Sequence, residues 1–185
     1  MVIENVSSLN IQAIELAQSG QYFEAIACLK KAISIEKYNH LLWYNLGITY
    51  RDAGKLDEAK AALLKAHDID DEDDEIIETL ALVCFNKGEN EESMAYCLEG
   101  LSKNSQNSHL WNTLGVIYFN SDDFSLACEA FENAVTINPY YYDALFNLRD
   151  TYEELGNKAG FQMCVEQMKN IALGENDFKG EGLDA

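Results

Sequence analysis

Proline is almost missing from this sequence: Pro139 is the single one in 185 residues. Proline punctuates the turns of all-β chains and breaks helix interiors, so its scarcity excludes a turn-rich β fold and leaves room for long helices. Basic residues are scarce too, with 13 Lys and Arg against 32 Asp and Glu and a net charge of −19. Without a cationic excess to displace phosphate counterions, the sequence argues against nucleic acid and against an anionic membrane surface as partners. No stretch reaches the roughly 18 consecutive apolar residues of a bilayer-spanning helix. The start, Met1 to Val6, has no basic segment followed by an apolar one, so no signal peptide is read there.

Paired cysteines are also missing. Cys28, Cys84, Cys97, Cys128 and Cys164 form no CxxC and no Cys/His zinc spacing. Reduced thiols in a cytoplasmic setting are expected. His40, His67 and His109 show no common spacing, and no glycine-rich phosphate loop follows a strand. The acidic run Asp68–Glu75 lacks the glycine and the spaced glutamate of a calcium loop, and it reads as a solvated turn. The sequence therefore predicts no cofactor, no metal site and no enzyme activity.

What is there is a repeat. Trp43-x-x-Leu46-Gly47-x-x-Tyr50 returns as Trp111-x-x-Leu114-Gly115-x-x-Tyr118, two periods of 34 residues later. Ile77-x-x-Leu80-Ala81-x-x-Cys84 lies between them, and Leu145-x-x-Leu148-Arg149-x-x-Tyr152 follows. Gly20, Gly54, Gly88 and Gly156 fall in step, with Asp122 in the fourth repeat. Small residues follow at Ala25, Ala59, Ser93 and Ala127, then at Ala32, Ala66, Gly100 and Ala134. Apolar residues at i, i+3, i+4 and i+7 make each repeat two amphipathic helices around a glycine turn. Gly47 and Gly115, facing Ala59 and Ala127, are expected to let the two backbones approach while Trp43, Tyr50 and Phe131 fill the space beside them.

This pattern resembles the tetratricopeptide repeat family. The resemblance is strongest in the fourth repeat, with Trp111, Leu114, Gly115, Tyr118, Ala127, Phe131, Ala134 and Pro139. It implies an all-α solenoid: a right-handed superhelix of antiparallel helix pairs whose first helices line a concave groove. One domain over 1–173 is expected, with repeats near 6–39, 40–73, 74–107, 108–141 and 142–173, then a flexible acidic, Gly-rich tail over 174–185. The third repeat, with Ile77 for Trp and Cys84 and Cys97 for the large aromatics, is expected to be the weakest link. The fifth, with Arg149 for Gly and Phe161 for a small residue, reads as a cap ending at Gly174.

Turning the first helix by 100° per residue puts its second, fifth, sixth, ninth, twelfth and thirteenth places opposite the core stripe, the side that the family resemblance implies turns toward the groove. The sixth place carries Asn45, Thr79, Thr113 and Asn147, and Asn112 joins them from the fifth. An asparagine amide there can donate to and accept from an extended peptide backbone. The ninth place carries Ile14, Ile48, Leu82 and Val116, then Asp150, and the twelfth adds Phe85 and Phe119. Groove charges are one-sided, with Glu75, Glu78, Asp143, Asp150, Glu153 and Glu154 against Arg51 and Arg149. The basic residues that the family uses to hold a C-terminal carboxylate are replaced by Asn10, Glu75 and Thr79, so an acidic tail does not fit. The expected function is a scaffold or adaptor holding a basic protein segment with apolar anchors in a concave acidic groove. A chaperone similar to the acidic tetratricopeptide chaperones of secretion systems, and a self-assembling scaffold, are the alternatives.

Overall fold

The computed structural model describes residues 5–180, with side chains to 173. Those residues form ten helices joined by turns, two helices per repeat: α1 (Val6–Gln18), α2 (Tyr22–Ile35), α3 (His40–Asp52), α4 (Leu56–Ile69), α5 (Asp74–Asn86), α6 (Asn90–Lys103), α7 (Ser108–Asn120), α8 (Phe124–Ile137), α9 (Tyr142–Glu154) and α10 (Lys158–Gly180). The first helices of the five pairs start at Val6, His40, Asp74, Ser108 and Tyr142. The chain divides into two compact units, the first ending at Lys103 and the second starting at Asn104. A stack of repeats has no single core to enforce unity, and the division falls at the end of the third repeat, the one poorest in aromatics.

Each repeat turns the same way. Gly20, Gly54, Gly88, Asp122 and Gly156 all have positive φ, between 61° and 77°. The next residue then donates to the carbonyl five residues back, as Lys55 N does to Tyr50 O at 2.8 Å and Asp123 N to Tyr118 O at 3.0 Å. This closes the helix in the left-handed C-terminal motif and reverses the chain. Asp122 is the only described non-glycine residue in that conformation.

In the first unit, Leu9, Leu29, Leu42, Leu46, Leu63, Ile76, Leu80 and Val83 make one continuous core. Gly47 is fixed by contact, because a Cβ there would sit 2.6 Å from the Leu63 side chain. The equivalent Gly115 in the second unit would place its Cβ 2.6 Å from the Phe131 ring. The aromatic ring thus lies on the glycine itself. The signature tryptophans do more than fill space: Trp43 Nε1 donates to Lys37 O at 2.8 Å, and Trp111 Nε1 to Ser105 O at 3.0 Å. Each pins the turn that brings the chain in from the preceding repeat.

The third repeat is not loosely packed. Ile77, Leu80, Ala81, Cys84 and Cys97 are all fully buried, and both thiols are free. Burial pushes the Cys97 thiol up to about 12, so it stays neutral.

The fifth repeat departs from expectation in two ways. The small residue against the first helix is Gly160, whose Cβ would lie 2.7 Å from the Tyr152 ring, and half-buried Phe161 sits one place further on. The helix also does not stop at Gly174, since α10 reaches Gly180. Once a helix is nucleated by a packed face, each further residue adds at little cost. Residues 181–185 of the expected tail lie outside the described residues.

Candidate functional site

In the first unit the groove face is made by α1, α3 and α5. The ninth-place aliphatics form an accessible row: Ile14 is 39% exposed, Leu82 is 37% exposed, and Ile48 between them is half-buried. Phe85 is half-buried near the end of α5. Glu75 is exposed at the start of the same helix and Glu78 is half-buried one turn on. Their field reaches the neighbouring helix. Burial raises the pKa of the Tyr44 hydroxyl, and the carboxylates of Glu75, Asp73 and Glu78 raise it further, while the bond from Thr79 opposes them. Arg51, the cation of this face, has Nε 2.9 Å and Nη2 2.8 Å from Asp52 Oδ1.

The sixth-place row is differently disposed from what the sequence suggests. Asn45 Nδ2 donates to Asn10 Oδ1 at 2.8 Å, Thr79 Oγ1 to Tyr44 Oη at 3.4 Å, and Asn147 Nδ2 to Asn112 Oδ1 at 3.0 Å. Each bond ties one first helix to the one before it. Thr79 is only 6% exposed and so is withdrawn from the surface. Thr113 Oγ1 donates to the carbonyl of His109 in its own helix, at 3.0 Å. The asparagines each keep half of their amide: Asn10 its NH2 with Asn45 its oxygen, and Asn112 its NH2 with Asn147 its oxygen. Tyr44 was not picked out from sequence, and Asn10 was named there only as the replacement of a basic groove residue. Their signal is a spacing of 35 residues from their partners, one more than the period.

In the second unit the same face closes into a pocket of about 220 Å³ lined by Val116, Phe119, Asn120, Phe131, Asn147 and Asp150. Phe119 is held edge-on to Phe124, with ring centroids 5.3 Å apart. Asp150 is bonded by Arg149 through Nε at 2.9 Å and Nη2 at 2.5 Å, both on Oδ1. Arg149 also stacks on Phe146 at 4.0 Å.

One cluster away from this face has the chemistry of metal ligands. Cys84, Glu89 and Glu92 bring their ligand atoms within 4.8 Å of one another. A lysine already fills that role: Lys60 Nζ lies 2.8 Å from Glu89 and also bonds Glu92, and Lys87 bridges Glu89 to Asp57 at 2.8 Å. The hydrogen bonds to Glu89 and Glu92 raise the Lys60 pKa, and those from Lys60 and Lys87 lower that of Glu89. The Cys84 thiol is pushed up by burial, away from the thiolate that a metal needs.

Residues 16–76 and 108–141 match models of the tetratricopeptide repeat, together just over half of the chain. The chain belongs to the tetratricopeptide repeat family. None of the curated proteins compared with it matches its sequence. Among solved structures, this tetratricopeptide protein is similar to MamA, with 23% identity, coverage of 91% of this chain and 96% of the other, and a TM-score of 0.75. It is similar to PilF of Pseudomonas aeruginosa, with 15% identity, 89% and 75% coverage, and a TM-score of 0.81. It is also similar to YrrB, described as a tetratricopeptide protein with an unusual peptide-binding site, with 18% identity, 90% and 86% coverage, and a TM-score of 0.69. At these identities the likeness establishes the fold, an all-α tetratricopeptide-repeat solenoid. Proteins of this fold serve in general as protein-interaction scaffolds.

Proposed function

We propose that this protein is a non-catalytic adaptor whose first-unit face, on α1, α3 and α5, binds a basic segment of a partner protein. The observation that carries the reading is the accessible row Ile14, Ile48 and Leu82 running beside Glu75 and Glu78. Aliphatic side chains left half in water on the side of a helix away from its core are suited to a partner's apolar anchors. A carboxylate margin whose nearest arginine is engaged by Asp52 selects a cationic partner and repels an anionic one. The description of YrrB as a peptide-binding tetratricopeptide protein supports the ligand class. The free thiols support a reducing, cytoplasmic location.

Affinity capture from native lysate tests the proposal, with wild type beside Glu75→Lys/Glu78→Lys. Both residues lie on the outer side of α5, so helicity should persist while the captured partner is lost. Unchanged capture would refute the charge-selected groove. A client that is stable only in the complex would instead favour the chaperone alternative.

A further inference from the structure

We propose that the pocket between α7 and α9 is a socket for one long cationic side chain of the partner, of the primary-ammonium, lysine type. The proposal rests on the interaction reading above and extends it to the second unit. Val116, Phe119 and Phe131 supply an apolar wall, and Asn120, Asn147 and Asp150 supply the polar part of a pocket of about 220 Å³. That division matches a lysine, whose four-carbon stem packs on apolar surface while its head seeks acceptors.

The acceptors are in place. Asp150 takes both Arg149 bonds on Oδ1, which leaves Oδ2 for another donor. Asn147 uses its NH2 on Asn112, which leaves its carbonyl oxygen. Asn120 adds a second amide oxygen. An ammonium has three donors and no acceptor, so these three oxygens can satisfy it. The Arg149 guanidinium on Asp150 shows that this carboxylate already accommodates a cation.

The repeat supplies an internal control. Two periods earlier the equivalent residues are Ile48, Arg51, Asp52, Leu63, Thr79 and Leu82. There, Arg51 stands where Phe119 does and is paired to Asp52, and an aliphatic stands where Asp150 does. The tetratricopeptide backbone does not require the socket. It follows from Phe119, Phe131 and Asp150.

The test is a chemical-shift titration of the ¹⁵N-labelled full chain with n-butylammonium, beside n-butanol at matched ionic strength. The ammonium should shift the amides around Val116, Phe119, Asn147 and Asp150, and n-butanol should bind there more weakly. Asp150→Asn should weaken the ammonium about tenfold, the scale of a lost charged hydrogen bond. Val116→Trp, which fills the pocket, should remove the shifts while far-UV circular dichroism is retained. Equal binding of n-butanol, indifference to Asp150→Asn, or shifts spread over surface carboxylates with none at the pocket would each overturn the socket. Failure of the Glu75→Lys/Glu78→Lys capture test would leave these shifts unaffected, so the two readings fail separately.

Discussion

The two units put the same repeat positions to different use. In the first, Leu82 ends an open aliphatic row, and Leu63 lies beneath Gly47. In the second, Asp150 stands in the place of Leu82, Phe131 lies beneath Gly115, and the face closes into a pocket. Backbone, turn and glycine contact are shared, so the repeat period sets where a side chain points. Its chemistry is then set one residue at a time. A tetratricopeptide scaffold can in this way carry two ligand preferences on one type of helix face.

The largest expected effect comes from breaking the shared glycine contact in one unit only. Gly115→Val would drive a branched side chain into the Phe131 ring, and a loss of about 3 kcal/mol is expected from overpacking. Native-state hydrogen exchange should show α7 to α10 losing protection while α1 to α6 keep theirs. Equal loss in both units would show that they are not energetically separate. A smaller effect follows from giving the first unit the second unit's residue. Leu82→Asp removes one aliphatic from the row without touching the core, so affinity for the captured partner should fall about tenfold, measured by titration calorimetry, with thermal stability nearly unchanged. Unchanged affinity would mean that the row serves only packing between first helices. The smallest effect is at the turn where the units differ most simply. Asp122→Gly should stabilise the second unit by about 0.5–1 kcal/mol by relieving its left-handed conformation, seen as a rise in the denaturation midpoint.

Much of the architecture was legible in the sequence because its signals are periodic. The 34-residue spacing and the turn glycines fix helix ends, and the 100° turn per residue fixes which places face away from the core. That geometry turns Ile14, Ile48 and Leu82 away from the core stripe, while which of them stay accessible depends on how neighbouring first helices pack, as half-buried Ile48 shows. The fate of the sixth-place residues was not legible, since it depends on how far one first helix slides along the next. That offset brings Tyr44 over Thr79 and Asn10 onto Asn45. The pocket was hidden for a related reason: Val116, Phe119, Asn147 and Asp150 each read as groove residues, but their enclosure depends on Phe119 resting against Phe124. In the fifth repeat the consensus misled by one residue, because Gly160 meets Tyr152 and so takes the small-residue role assigned to the place that Phe161 holds. The division at Lys103 has no sequence marker beyond a third repeat in which Ile77, Cys84 and Cys97 stand in place of the signature aromatics.

The proposed partner lies on the first helices of the first unit. Hydrogen exchange of the captured complex against the free protein tests this placement most directly. Added protection is expected in α1, α3 and α5, centred on Ile14, Ile48 and Leu82, and none in α2, α4 and α6. Protection confined to α2, α4 and α6 would contradict it.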